Sequence, residues 1–102
     1  MATDIKDLVD RKTLLLGLAE EAAELAQAAL KLHRVLDGKN PTPVPLADAI
    51  KALHEEIADV DLYEEQVMGD YDWDAVFEIK KGKYDRWMKR LTEGEKSGDE
   101  SD

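Results

Sequence analysis

The segment "TLLLGLAEEAAELAQAALKL", residues 13–32, decides the fold of this protein. Its leucines and alanines recur at intervals of three and four residues, which is typical of a helix that buries one face. Three glutamates, Glu20, Glu21 and Glu24, interrupt the apolar run, and a related hexapeptide, "EEIADV", follows at residues 55–60. The sequence therefore predicts a long helix with acids in a region that looks built to be buried.

Loop-forming residues divide the chain into helical blocks. Gly, Pro and Asn cluster in residues 37–45, and "GDYD" makes a second break at residues 69–72. Asp10 is a candidate N-cap at which a new helix could begin within the first block. No alternating β-branched run is present, so we expect an all-α protein. The predicted helices span about residues 4–36, about residues 46–68, and from Asp72 or Asp74 to about Leu91.

Length and composition favour one small domain. The chain has 102 residues, 43% of them hydrophobic, which suffices for only a modest core. We therefore expect one helical domain over residues 1–91, with its core completed by oligomerisation. The remaining segment, residues 92–102, contains five acids and one lysine and predicts an acidic, disordered tail.

Charge and hydropathy exclude several classes of protein. Cysteine is absent, the first residues carry charge throughout, and no run approaches the roughly 20 apolar residues of a membrane span. We expect a cytoplasmic protein without membrane contact. The 24 acids and 14 bases give a net charge of −10, which argues against a nucleic-acid polymer as partner.

The acids of the two hexapeptides are expected to share the apolar helix faces. At about 100° per residue, Glu21 and Glu24 lie roughly 60° apart on the leucine-rich face of the first helix. Glu56 and Asp59 hold the matching place on the second helix, whereas Glu20 and Glu55 project to the side and could support the ligands from behind. Inward carboxylates repel each other and lose hydration, so a cation is expected among them. In the alternative, the helices rotate and the acids face solvent.

The ligand types indicate which cation. Carboxylates without cysteine favour a hard ion, Mg²⁺ or Mn²⁺, which readily shares its ligands with substrate phosphates. A di-iron site would need Glu-x-x-His on two helices. His33 and His54 are preceded at that spacing by Leu30 and Lys51, so we expect neither to take part in catalysis.

Cations and aromatic residues of the third helix could complete a site. Helical spacing puts Lys80 within the apolar stripe and Lys83 at its edge, with Arg86 on the same flank. They could hold a phosphate, or they could extend along the bundle to solvent and offset the acids. Tyr63 and Trp73 could stack on a base, although aromatic residues at this spacing more often belong to a core.

The two acidic motifs carry a resemblance to a known family. "EEAAE" at residues 20–24 and "EIAD" at residues 56–59 match the E-E-x-x-E and E-x-x-D signature of the MazG-like, all-α nucleoside triphosphate pyrophosphohydrolases. The flanking "LHEEIADVDLYEEQV" and "IKKGKYDRWMKRL" resemble the second motif helix and the basic final helix of small phage-type members. The resemblance covers about residues 12–91.

The resemblance implies a fold, an activity and roles for residues. It implies a helical bundle that forms a homodimer or homotetramer, and a Mg²⁺-dependent cleavage of nucleoside triphosphates between the α and β phosphates. The spacer from Glu24 to Glu56 is longer than in compact members, so contacts to the base cannot be transferred. The implied roles are metal ligands (Glu21, Glu24, Glu56 and Asp59), a general base (Glu21 or Glu24) and phosphate contacts (Lys80, Lys83 and Arg86). Two alternatives stay open: a non-catalytic nucleotide- or protein-binding oligomer of the same fold, and a plain oligomerisation module.

Overall fold

The computed structural model describes residues 2–38 and 43–93, and every regular element within them is helical. The prediction of an all-α protein is therefore confirmed for this part of the chain. None of the described helices has the length and hydropathy needed to cross a membrane. The predicted acidic tail, apart from Thr92 and Glu93, lies outside the described residues, as does the middle of the predicted loop at residues 37–45. The elements are a 3₁₀ turn (Ile5–Asp7), α1 (Arg11–Asp37), α2 (Leu46–Val67) and α3 (Asp70–Thr92).

Local capping sets both ends of α1. The Asp10 carboxylate accepts a hydrogen bond from the Thr13 N–H at 2.9 Å, which confirms Asp10 as the N-cap. Gly38 ends the helix in the left-handed conformation, at φ 74°, where its N–H reaches the carbonyls of Arg34 and Val35. The helical block predicted over residues 4–36 is broken near Asp10, where the sequence offered a cap for a new helix. The preceding residues form a separate turn, which Asp4 caps through the Ile5 N–H at 2.8 Å.

α1 and α2 pack against each other in antiparallel orientation. Gly17 meets Tyr63 near the start of α1, and Glu21 approaches Asp59 one turn later. Later residues of α1 therefore contact earlier residues of α2, which is the pattern of an antiparallel pair. A hydrogen bond connects the 3₁₀ turn to this helix pair, since the Lys6 N–H donates to Gln66 Oε1 at 2.9 Å. The buried residues of the two helices are Leu14, Gly17, Ala49, Gln66 and Val67.

Gly17 permits the close approach of the Tyr63 ring to α1. A β-carbon at position 17 would lie 2.6 Å from Tyr63 Cζ and 2.8 Å from its hydroxyl oxygen, well inside van der Waals contact. The ring therefore occupies the space that any other residue at position 17 would fill. This contact lies one turn from Glu21 on α1 and one turn from Asp59 on α2, so it helps to set the spacing of the helices at the acids.

The chain divides into two compact units, Met1–Val67 and Met68–Asp102. The second unit contains α3, which starts at Asp70 rather than at the predicted Asp72 or Asp74. The earlier start has a local cause, since the Asp72 carboxylate accepts the Gly69 N–H at 3.1 Å and acids favour a helix N-terminus. α3 has no buried residue. The single domain expected over residues 1–91 stays a prediction.

Candidate metal site

Three of the four predicted ligands lie together between α1 and α2. Glu21, Glu56 and Asp59 each offer a carboxylate oxygen, and the three oxygens lie within 4.8 Å of one another. Glu56 and Asp59 share a face of α2 because residues three apart on a helix are neighbours. The antiparallel packing places Glu21 opposite them. We call Glu21, Glu56 and Asp59 the acid triad.

Glu24 lies beside the acid triad without belonging to it. Its charge is close enough to raise the pKa of both Glu21 and Glu56. Glu21 and Glu56 are half-buried, whereas Glu24 and Asp59 are exposed. Within this helix pair, Glu21 and Glu56 are therefore more shielded than Glu24 and Asp59, and metal binding by the four acids stays a prediction. Two packed helices cover only one side of the acids, and this leaves the other two at the rim.

The environment of the triad raises the pKa of two of its acids, Glu21 and Glu56. Desolvation is the main cause that raises the pKa of Glu56, followed by repulsion from Asp59, Glu24 and Glu55. Desolvation is also the main cause of the raised pKa of Glu21. Repulsion from Asp59 and a side-chain hydrogen bond with Asp59 come next, followed by repulsion from Glu56 and Glu24. A cation between these oxygens would remove the repulsion that now favours the protonated forms.

One oxygen of the triad lacks a hydrogen-bond donor. Glu56 Oε1 is shielded from solvent and has no partner within the part of the chain that the structure describes. A buried acceptor of this kind is costly unless something positive reaches it. Three clustered carboxylates, with Asp59 open to water, fit Mg²⁺ or Mn²⁺, which bind oxygen ligands and keep several waters. The donor set therefore suits the predicted cofactor.

The remaining predicted acids and aromatic residues surround the triad less closely. Glu20 and Glu55 are exposed and lie outside it, although the charge of Glu55 contributes to the raised pKa of Glu56. Tyr63 packs on Gly17 and borders a cavity of about 180 Å³ with Leu14 and Gln66. Base stacking by Tyr63 stays a prediction.

The predicted phosphate-binding cations belong to the second unit. Lys80, Lys83 and Arg86 are exposed on α3, and Trp73 is half-buried near its start. Lys80 and Lys83 border a shallow groove along α3 together with Tyr84 and Trp87. The acids and the cations expected to form one site therefore lie in different units of the chain, and the roles of these cations and of Trp73 stay predictions.

Two basic residues that share a groove with the acids are not among the site residues predicted from the sequence. Lys31 and Arg34 border a groove of about 350 Å³ between α1 and α2, and Glu24 and Glu56 border the same groove. A signal was available, since Lys31 lies seven residues after Glu24 and two helical turns separate them.

No family model, curated protein or solved structure matches this chain. The fold and the site define an all-α protein with a carboxylate cluster between two antiparallel helices. The more specific resemblance to MazG-like enzymes rests on the two sequence motifs.

Proposed function

We propose that the protein is a Mg²⁺-dependent nucleoside triphosphate pyrophosphohydrolase, which releases a nucleoside monophosphate and pyrophosphate. The observation that carries this proposal is the acid triad, in which one oxygen of the half-buried Glu56 meets no donor among the described residues. The E-E-x-x-E and E-x-x-D spacings supply these same residues. A MazG-type helical bundle, completed by a second copy or by three further copies, is part of the proposal.

Each acid has a role that follows from its place. Glu21, Glu56 and Asp59 would hold the divalent cation, which would supply charge to neutralise the phosphates and would lower the pKa of a bound water. Glu24 is exposed next to the triad and outside it, so it is the acid best placed to accept a proton from the attacking water. The water oxygen bonds to the α phosphorus, the bond from that phosphorus to the α–β bridging oxygen breaks, and pyrophosphate leaves.

The other predicted roles stay within the proposal. Glu20 and Glu55 support the ligands electrostatically and by position. Lys80, Lys83 and Arg86 contact phosphates, and Tyr63 and Trp73 are candidates for stacking on the base.

A second candidate function is a non-catalytic module that binds a nucleotide or a protein partner. The observation that favours it is the exposed aromatic surface of α3, where Phe77, Tyr84 and Trp87 are each about three-fifths exposed. Apolar patches of this kind are typical of interaction surfaces.

A panel of ribo- and deoxyribonucleoside triphosphates with Mg²⁺ tests the two candidates. We expect equimolar pyrophosphate and nucleoside monophosphate from at least one nucleotide, and no release without a divalent cation. Glu24→Gln and Asp59→Asn should lower turnover by orders of magnitude, because they remove the proposed base and a metal ligand. Glu65→Gln, an exposed acid of α2 outside the site, is the matched control and should retain turnover. Mg²⁺-dependent nucleotide binding without pyrophosphate release would favour the binding module instead.

A further inference from the structure

Lys31 and Arg34 border a groove whose lining residues belong to α1 and α2. We infer that this groove is a subsite for a diphosphate group held on the divalent cation, with Lys31 and Arg34 as its cationic side chains. The inference rests on the proposed function, because the diphosphate is the β and γ phosphates of the substrate and then the leaving pyrophosphate.

The geometry of α1 places these cations at a useful distance from the acids. Lys31 follows Glu24 by two helical turns, or about 10 Å of helix, and Arg34 by about 15 Å. Both side chains are long, and both line the groove that Glu24 and Glu56 also line. A phosphate chain that starts at the acid triad and runs along the groove would pass within reach of both cations.

Small residues keep the groove open. Ala28 on α1 and Ala52 on α2 form part of its lining, and neither side chain extends far from its helix. The opening is therefore a property of the helix pair itself. A groove that carries acids at one end and cations beyond them suits a metal–diphosphate complex, whose metal binds carboxylates and whose oxygens bind Lys and Arg.

The two cations are available to an anion. Within the described ranges, 2–38 and 43–93, neither Lys31 nor Arg34 forms an ion pair. Lys81 on α3, by contrast, is paired with Asp85 at 3.3 Å. What distinguishes Lys31 and Arg34 is their place, since both border the groove that Glu24 and Glu56 also border.

The cavity at the opposite end of the helix pair is lined by apolar and uncharged polar residues. The cavity of about 180 Å³ beyond the triad is bordered by Thr13, Leu14, Tyr63 and Gln66, among others, and none of its lining residues is charged. The groove and this cavity lie on opposite sides of the triad along the helices. The substrate is therefore oriented with its phosphates toward Lys31 and Arg34 and its base toward Tyr63.

Calorimetry with inorganic pyrophosphate and Mg²⁺ tests the subsite on the full chain. Lys31→Ala and Arg34→Ala should each weaken Mg²⁺–pyrophosphate binding about tenfold, because each removes a charge-assisted hydrogen bond. Lys31→Arg should retain most of the affinity, since it keeps the charge and the reach. Lys12→Ala, an exposed lysine of α1 outside the groove, is the matched control and should bind like the wild type. Thermal stabilisation by Mg²⁺ alone should be equal in all variants, which verifies that they fold and that the triad is intact.

Several results would overturn the subsite. They are no binding of pyrophosphate to the wild type in Mg²⁺, unchanged affinity in both alanine variants, or an equal loss in Lys12→Ala. A loss in Lys83→Ala without one in the groove variants would assign the diphosphate to α3 instead.

Nucleotide turnover separates this inference from the proposed function. If the wild type hydrolyses nucleotides while Lys31→Ala and Arg34→Ala keep its KM and its inhibition by pyrophosphate, the subsite is wrong and the function stands. If pyrophosphate binds through Lys31 and Arg34 but no nucleoside triphosphate is cleaved, the subsite is supported for free pyrophosphate and the proposed function is wrong.

Discussion

At the scale of single residues, Glu56 has an environment that disfavours its charge. It is half-buried, one of its oxygens has no donor within the described residues, and three neighbouring acids repel it. Burying a carboxylate without a compensating charge destabilises a fold. A cation held by the triad, as the proposed function requires, would compensate the charge of Glu56.

Neutralising Glu56 should have opposite effects on the stability of the metal-free protein and on its affinity for Mg²⁺. We expect Glu56→Gln to raise the melting temperature of the metal-free protein, because it removes repulsion in a desolvated place. The same variant should lose Mg²⁺ affinity by more than about tenfold and lose the stabilisation that Mg²⁺ provides by mass action. Melting curves with and without Mg²⁺ measure both effects. The control Glu65→Gln should change stability by no more than about 0.5 kcal/mol, and a Glu56→Gln protein that behaves like it would refute the metal site.

Stability of the metal-free protein should depend on pH through the same acids. The pKa values of Glu21 and Glu56 are raised above 4.5, so the folded protein binds protons that the unfolded chain releases as pH rises past 4.5. Stability therefore falls with rising pH from 4.5 up to the folded pKa values, and the loss is complete above them. Saturating Mg²⁺ should reduce this loss. Urea unfolding between pH 4.5 and neutrality measures it, and a flat profile without Mg²⁺ would contradict the repulsion.

Two other acids make the fold less stable as the pH falls below about 4. Hydrogen bonds from Thr3 lower the pKa of Asp7, and hydrogen bonds from Thr13 lower the pKa of Asp10, both from 3.8. Their contribution to stability is full above 3.8 and is lost as pH falls through the folded pKa values. The metal-free protein should therefore be most stable at mildly acidic pH.

At the scale of elements, the contact between Gly17 and Tyr63 sets how closely α1 approaches α2 near the acid triad. Glycine within a helix costs about 1 kcal/mol relative to alanine. At position 17 this cost is offset by the packing of the Tyr63 ring in the space that a side chain would occupy. Gly82 on α3 lacks such a contact, because a β-carbon there would meet only Arg86 Nη1, at 3.3 Å.

Alanine substitutions at the two glycines should have opposite effects. Gly17→Ala forces the ring or the helix to move, and such overpacking costs about 1–3 kcal/mol, so we expect net destabilisation despite the better helix propensity. It should also weaken Mg²⁺ binding, since it shifts Glu21 relative to Asp59. Gly82→Ala should stabilise by up to about 1 kcal/mol, because the Arg86 side chain can move aside. Urea unfolding of both variants compares them, and equal stabilisation would show that the Tyr63 contact is unimportant.

At the scale of the whole molecule, the described residues bury little apolar surface. Their buried apolar side chains are Leu14, Ala49 and Val67. On α1, Leu16 is 62% exposed and Leu36 is 68% exposed, and Leu15 and Leu30 are also exposed. Apolar surface of this extent on one helix favours association with a second copy.

Association should therefore be measurable in solution. We expect a homodimer or homotetramer by light scattering at low micromolar concentration. Leu16→Glu should shift the population toward monomer and lower the melting temperature, because a charge would be buried at the interface. Lys12→Glu, on the same helix and exposed, is the control for the added charge and should stay associated. A stable, folded wild-type monomer at that concentration would contradict the expectation.

The sequence by itself determined the features that depend on neighbours within a few turns. The all-α class, the Asp10 N-cap and the pairing of Glu56 with Asp59 on one helix face follow from interactions between residues three or four apart. The start of α3 depends on the same local chemistry, since the Gly69 N–H donates to the Asp72 carboxylate and the helix begins before the predicted residue.

The tertiary structure alone decided which acids meet and what lies beside them. Glu21 joins Glu56 and Asp59 while Glu24 stays at the rim, the Tyr63 ring rests on Gly17, and Lys31 borders the groove that Glu56 also borders. These arrangements depend on the register and rotation of α1 against α2, whose contacting residues are far apart in the chain. Helical periodicity places a residue on a face, but only the packing of two faces determines which side chains lose their water.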